Sequence, residues 1–335
     1  MMLREKLSQI LSFPFERKNP DVNSLMLIYN DKLIIRTFYE FNVENAYSSI
    51  FKQTSFGPRV PGSHASIECK KWILRKLKDY GTDNITEQST TLKAYNGDII
   101  NVVNISAQIY PNNINRVLLL AHWDTRPWAD MDKCPDNRNK AIDGANDGAS
   151  GVAIILELVR IFSKKPLPLG IDVLFVDAED YGQRLDNDVS NYDDTSWCLG
   201  MQYWINNPTL NLSNIKTAIH FDMVGGLNAT FPREYFSDKI SCEYNDLFWN
   251  SVYYTEHSLR FPDKLGNAVI DDHVYLLLHK IPVISIVESS NPITGCFSPT
   301  WHTLGDNIKN IDINTLKAVG EASENFLKGL SFKSE

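Results

Sequence analysis

The sequence predicts an α/β chain, a three-layer sandwich with a mostly parallel, mixed central sheet and helices on both faces. Three observations predict it. From residue 116 onward, short apolar runs alternate with stretches of helical periodicity. The runs are apolar at nearly every position, as in strands buried on both faces. Polar residues then gather where the runs end, after Leu120, Val176, Phe221 and Val287. In such sheets ligands bind beyond the carboxyl ends of the strands.

Residues 1–55 carry no clear pattern, and they are expected to pack as an extension on a core spanning 56–330. Phe56 to Ser63 is rich in Gly and Pro, and Ser63 is placed to cap the helix that follows. From Ala65 to Tyr80, Ile67, Trp72, Ile73, Leu74 and Leu77 recur at helical spacing. Residues 84–95 and 99–109 read as two strands around an Asn96-Gly97 turn. The alternation then gives strand 116–122, helix 151–162, strand 171–177 and helix 197–206. After these come strand 217–224, helix 242–256, strand 281–287 and helix 313–327.

Composition removes several function classes. The formal net charge is −8, so a general phosphate-binding role is not expected, and neither is a nucleic-acid partner. Lys70, Lys71, Lys76 and Lys78 read as the solvated face of a helix. Five cysteines, with no Cys-x-x-Cys, indicate neither a disulfide framework nor a thiolate zinc site. No apolar run is long enough for a membrane helix. Residues 1–14 lack a clear export signal, so a cytoplasmic location and a missing export signal both remain open.

The chemistry sits at the strand ends. His122-Trp123-Asp124, Asn146-Asp147-Gly148, Glu179-Asp180 and Trp301-His302-Thr303 together supply two His and several carboxylates. That is a zinc-type ligand set with one carboxylate left to move protons. Asp147 stands between Asn146 and a run of small residues, where the backbone can pass close to a metal. Its alternative role is to cap the helix beginning near Ala149. Asp177, Glu179 and Asp180 crowd at one strand end, and such crowding calls for a cation or a shared proton. Asp306 follows His302 by four residues and is expected to orient its imidazole. Asp222 lies in an apolar strand and needs a partner. Asp271-Asp272-His273 reads equally as a site segment or a surface turn. His64, His220, His257 and His279 are read as structural.

These motifs resemble those of the zinc-dependent glutaminyl-peptide cyclotransferases, closest in wording to the bacterial branch. That family shares its fold with co-catalytic zinc aminopeptidases. The likeness runs from about Phe56 to Leu330 and rests on the segments 121–130, 144–151, 175–182, 196–200, 221–226, 271–273 and 301–303. It implies a single catalytic domain with one Zn2+ per chain, held by Asp147, Asp180 and His302. It further implies Glu179 as the proton-shuttling acid/base, with Asp222 and Asp271 as paired acids beside it. Trp301 and Trp197 would form the pocket wall. The substrates implied are peptides or proteins with N-terminal Gln, and the compartment implied is periplasmic or extracellular. Animal members carry His, and bacterial ones usually Asp, at the position that is Ser285 here. The absence of a Gly-x-Ser-x-Gly elbow agrees with a reaction whose nucleophile belongs to the substrate. The alternative is a dizinc aminopeptidase, with His122 and Asp222 completing a second metal position.

Overall fold

Among the described residues, six strands form one sheet in the order β1-β2-β4-β3-β5-β6. The computed structural model describes Leu3, Lys6, Leu7, Leu11 and residues 39–186, 192–253 and 255–330. The strands are β1 (Asp83–Lys93), β2 (Ile99–Ile109), β3 (Arg116–His122), β4 (Gly170–Val176), β5 (Ile215–Asp222) and β6 (Val283–Val287). β1 and β2 form the expected hairpin, and β2 pairs antiparallel with β4. β4, β3, β5 and β6 run parallel. The sheet is therefore mixed at one edge and parallel where it carries chemistry.

Among the described residues the α-helices are, in chain order, α1 (Val43–Thr54), α2 (His64–Asp79), α3 (Ala149–Phe162), α4 (Leu199–Asn206), α5 (Tyr235–Ile240), α6 (Cys242–Tyr253), α7 (Asp272–Leu278) and α8 (Ile313–Gly329). Ser63 caps α2 as expected, its side chain accepting from the Ser66 amide. The expected helices begin or end within a few residues of the observed ones, as ragged ends dictate. The short α5 and α7 carry too few turns to show a period, and α1 lies in the segment whose sequence shows no clear pattern. The other residues of the N-terminal extension lie outside the described ones.

Strand alternation sorts the core onto the two faces. On β3, Val117, Leu119 and Ala121 join a cluster with α1, α2, α3, α6 and α8. Leu118 and Leu120 join the opposite cluster with α4 and α7, where Leu3 and Leu7 also seat. By the same period of two, His122, His220, Asp222 and Ser285 belong to the α4–α7 side. Buried carboxylates fasten α1: Glu157 accepts from the Asn42 amide, and Glu324 accepts from the amides of Glu40 and Phe41.

Candidate metal centre and active site

The chain leaves β3 toward β4 on one side and later returns to β5 on the other, so a crevice opens at the carboxyl ends of these strands. Beyond those ends lies a cavity of 510 Å³, whose lining includes Asp147, Glu179, Asp180, Asp222, Asp271 and His302. Trp197 and Trp301 line it too, as do Leu7 and Leu11 of the N-terminal segment. His122 joins them through Asp147 and Asp222, so the nine residues expected to hold metal, move protons or wall the pocket are brought to this one place.

Asp147 does not cap a helix. The N-cap of α3 is Gly148, with φ +92° and no side-chain cap. A Cβ there would stand 2.5 Å from the Asp124 carbonyl and 3.2 Å from the His122 ring, so only glycine lets Asp147 approach β3 this closely. Asp147 Oδ1 lies 3.0 Å from His122 Nε2, and Asp222 Oδ1 lies 3.1 Å from the same nitrogen. Asp180 Oδ1 is 3.0 Å from His302 Nε2, which is 3.6 Å from Asp147 Oδ2. Donor atoms of Asp147, Asp180 and His302 lie within 4.8 Å of one another, and so do those of His122, Asp147 and Asp222.

This donor set fits a zinc ion. Asp147 Oδ2 and Asp180 Oδ2 are buried without a hydrogen-bond partner. Burial, and then the Asp180 charge, push the Asp147 carboxyl well above its ordinary range. A cation would relieve both. Burial and the nearby Arg126 guanidinium hold His302 below the usual imidazole range. Burial works to raise Asp180, yet it is held at about 2, which a cationic His302 would favour. The two shifts pull against each other. Burial with Arg126 beside it decides for a neutral imidazole facing an ionised carboxylate, the charge states that zinc ligation requires.

Glu179 is buried at the pocket floor. Burial first, then Asp180 and Asp271, push its carboxyl well above the ordinary range. Asp177, which crowds beside Glu179 in the sequence, faces elsewhere. Its carboxylate turns back into the protein and accepts from the amides of Val103 and Ala178. Asp271 moves the other way from Glu179. Burial opposes its ionisation, but His220, His273 and His122 outweigh it. Asp271-Asp272-His273 is not a surface turn, since all three are buried and Asp271 is the N-cap of α7.

One expected partnership is corrected. Asp306 does not orient His302. It accepts from the amides of Asn146 and Asp147 at 2.7 and 3.0 Å, and so fixes the loop that presents Asp147. The carboxylate facing His302 Nδ1 is Asp130, at 3.6 Å, itself clamped by two hydrogen bonds from Arg126. Arg126 Nη1 also donates to the Asp180 carbonyl. Asp124 accepts from the amides of Glu179 and Asp180. Sequence reasoning assigned no role to Arg126, Asp124 or Asp130. The signal was their place in the segment after β3, four charged or ligating side chains within nine residues including His122.

Aromatic rings frame the ligand set. Trp301 stacks on His302 with centroids 3.8 Å apart, and Trp197 stacks on it at 5.8 Å and 8°. Ala178, Cys198, Met223 and His302 all hold positive φ without being glycine. Such strain, about 1–3 kcal/mol each, gathers where a site over-determines its backbone. Among the described residues no helix is long and apolar enough to cross a membrane.

Comparison with known proteins agrees with this architecture. The family model Peptidase family M28 matches residues 104–327. The structure is similar to a glutaminyl cyclase of Bacteroides thetaiotaomicron, solved with N-acetylhistamine bound, at 38% identity and TM-score 0.84, covering 88% of this chain and 99% of that one. A glutaminyl cyclase of Porphyromonas gingivalis is similar at 38% identity and TM-score 0.81, over 86% of this chain and 98% of that one. A leucine aminopeptidase precursor of B. thetaiotaomicron is similar at 38% identity and TM-score 0.83, over 88% of this chain and 99% of that one. With two thirds of its length in the family model, the chain belongs to peptidase family M28, among the members akin to bacterial glutaminyl cyclases.

Proposed function

We propose that this chain is a zinc-dependent glutaminyl-peptide cyclotransferase, converting the N-terminal glutamine of peptides to pyroglutamate with release of ammonia. The observation that carries the reading is Glu179. It is a buried carboxyl pushed toward its protonated form, beside a three-residue donor set and at the floor of an aromatic-walled pocket. The likeness to bacterial glutaminyl cyclases across nearly their whole length supports it.

Asp147, Asp180 and His302 would hold one zinc. Zinc, when bound, supplies Lewis-acid polarisation of the γ-amide carbonyl. The substrate α-amine attacks that carbonyl carbon, so the new bond is N–C and the broken one is C–N to the amide nitrogen. Glu179 takes the proton that the amine loses and delivers it to the departing nitrogen, which leaves as ammonia. Its raised proton affinity suits this return step. Asp271, held ionised, and Asp222 would hold the α-amine in place through hydrogen bonds. Trp197 and Trp301 line the pocket, and walls of this kind keep out the water that would compete with the amine.

A second reading is hydrolysis by a two-metal centre. His122, Asp147 and Asp222 offer a further set of donors within 4.8 Å, and the leucine aminopeptidase precursor is as similar as the cyclases. Incubation with a Gln-containing dipeptide amide separates the two. A cyclised product with ammonia, lost on chelation and restored by zinc, supports the cyclase. Free glutamine without ammonia supports the peptidase and sinks the cyclase.

A further inference from the structure

His220, read from the sequence as a structural histidine, occupies an unexpected place. It is fully buried on β5, two residues before Asp222, so strand alternation points both side chains to the same face of the sheet. Across the parallel ladder its register partner is Ser285 on β6. His220 Nδ1 lies 3.0 Å from Ser285 Oγ. Its Nε2 lies 3.4 Å from Asp271 Oδ1, an ion-pair distance at the N-cap of α7. The ring stacks on that of His273 at 5.2 Å, and His273 Nε2 is engaged by Glu234 at 3.1 Å. Among the described residues, His220 supplies the only Lys, Arg or His nitrogen within 4.0 Å of Asp271, and at 3.4 Å its Nε2 makes an ion-pair contact without a hydrogen bond.

The chemistry of these atoms fixes their roles. An ionised Asp271 only accepts, so the nitrogen facing it must carry the proton. The Ser285 hydroxyl holds the other nitrogen, Nδ1, and so fixes the orientation of the ring. A carboxylate buried to 3% exposure needs such a partner. Asp271 has little else to hold its rotamer. One oxygen accepts from the Asp272 amide at 2.5 Å, and its donor atom lies within 4.8 Å of those of Glu179 and Cys198.

We propose that His220 is a positioning residue: locked by Ser285, it aims the carboxylate of Asp271 at the reacting centre beside Glu179. The pair thereby serves, from β5 and β6 together, a site that the Ser at position 285 could not reach alone. The reaction it serves rests on the cyclase reading; the geometry does not.

The test is a double-mutant cycle with a structural readout. His220→Leu should lower kcat about 30-fold, within the range for losing an outer partner of a site residue. KM should stay within about twofold and zinc content unchanged, the pattern of an interaction made in the transition state. Ser285→Ala should cost about fivefold, and the double variant should be no worse than His220→Leu, because Ser285 acts only through the imidazole. His220→Gln, whose amide can still donate to Asp271, should recover most of the rate. A crystal structure of His220→Leu should show the Asp271 carboxylate turned from its present place. Wild-type kcat in His220→Leu, multiplicative losses in the double variant, or an unmoved Asp271 would each overturn the proposal. Should His220→Leu fail to fold, Ser285→Ala and His220→Gln decide it by the same criteria. If the wild-type protein yields free glutamine in place of ammonia, the cyclase reading falls, and the position of Asp271 still decides this one.

Discussion

At the residue scale, neighbouring carboxyl groups are pushed in opposite directions. Glu179 is raised and Asp271 is lowered, although donor atoms of the two lie within 4.8 Å. Groups whose affinities diverge are the natural acid and base of a site. Glu179→Gln should therefore cut turnover by three orders of magnitude or more, roughly the loss of a general acid–base. It should leave zinc bound, since Asp147, Asp180 and His302 are untouched, and metal analysis of the inactive variant checks this. Asp130→Asn makes the complementary prediction. Asp130 faces His302 Nδ1 and does not belong to the donor set. Its loss should weaken zinc affinity about 10–100-fold, the usual effect of removing such a partner. Chelator competition measures it, and unchanged affinity would return the orienting role to some other group. The place of Asp147, Glu179, Asp180 and His302 in one cluster was legible because motif and strand end coincided. Asp130 and His220 were not, since their partners, His302 and Ser285, lie 172 and 65 positions away in sequence and only the folded sheet brings them near. Asp306 misled because four residues of separation suggests a contact only on a helix, and here the segment is a turn.

At the element scale, the parallel strands were the most legible part of the chain. Near-continuous apolar runs allow few other interpretations at this length, and β3 and β4 are buried at every position. What the sequence could not display is how tightly elements approach. The start of α3 sits so close to β3 that Gly148 is required twice, by φ +92° and by a Cβ distance of 2.5 Å to the Asp124 carbonyl. Gly148→Ala is expected to force α3 and Asp147 away from His122. We expect a destabilisation of about 2–4 kcal/mol, combining a forbidden φ with a backbone clash. The melting temperature should fall accordingly, and zinc affinity should fall with it because Asp147 moves. Preserved melting and preserved affinity together would mean that the loop before α3 adapts more freely than its packing allows. Asp306 bears on the same joint. By accepting from the Asn146 and Asp147 amides, it ties the loop that carries His302 to the loop that carries Asp147.

At the scale of the whole molecule, the fold gathers buried acids beyond the carboxyl ends of the strands, and some buried acids make stability depend on pH. Glu288 follows β6 and is buried. Burial pushes its carboxyl up to about 7, and the hydrogen bond from Asn291 Nδ2 at 2.8 Å only partly offsets this. The sign follows from linkage. The folded state binds the Glu288 proton more tightly than the unfolded chain, so this group favours folding fully below about 4.5. That contribution is lost as pH rises toward 7 and stays lost above it. Glu288→Gln keeps an oxygen for Asn291 but cannot ionise. The variant should match the natural protein near pH 4 and exceed it at pH 8 by about 3 kcal/mol, the free energy that separates a carboxyl at 4.5 from one at about 7. For a chain of this size that is a few degrees in melting temperature. Comparing the two proteins across pH cancels the titration of every other buried acid, because Glu179, Asp147 and Asp272 are common to both. A constant difference in melting temperature from pH 4 to 8 would mean that Glu288 keeps the same charge throughout. A difference that opens only between about 4.5 and 7 identifies the carboxyl after β6 as one that the fold holds protonated, against its ordinary preference.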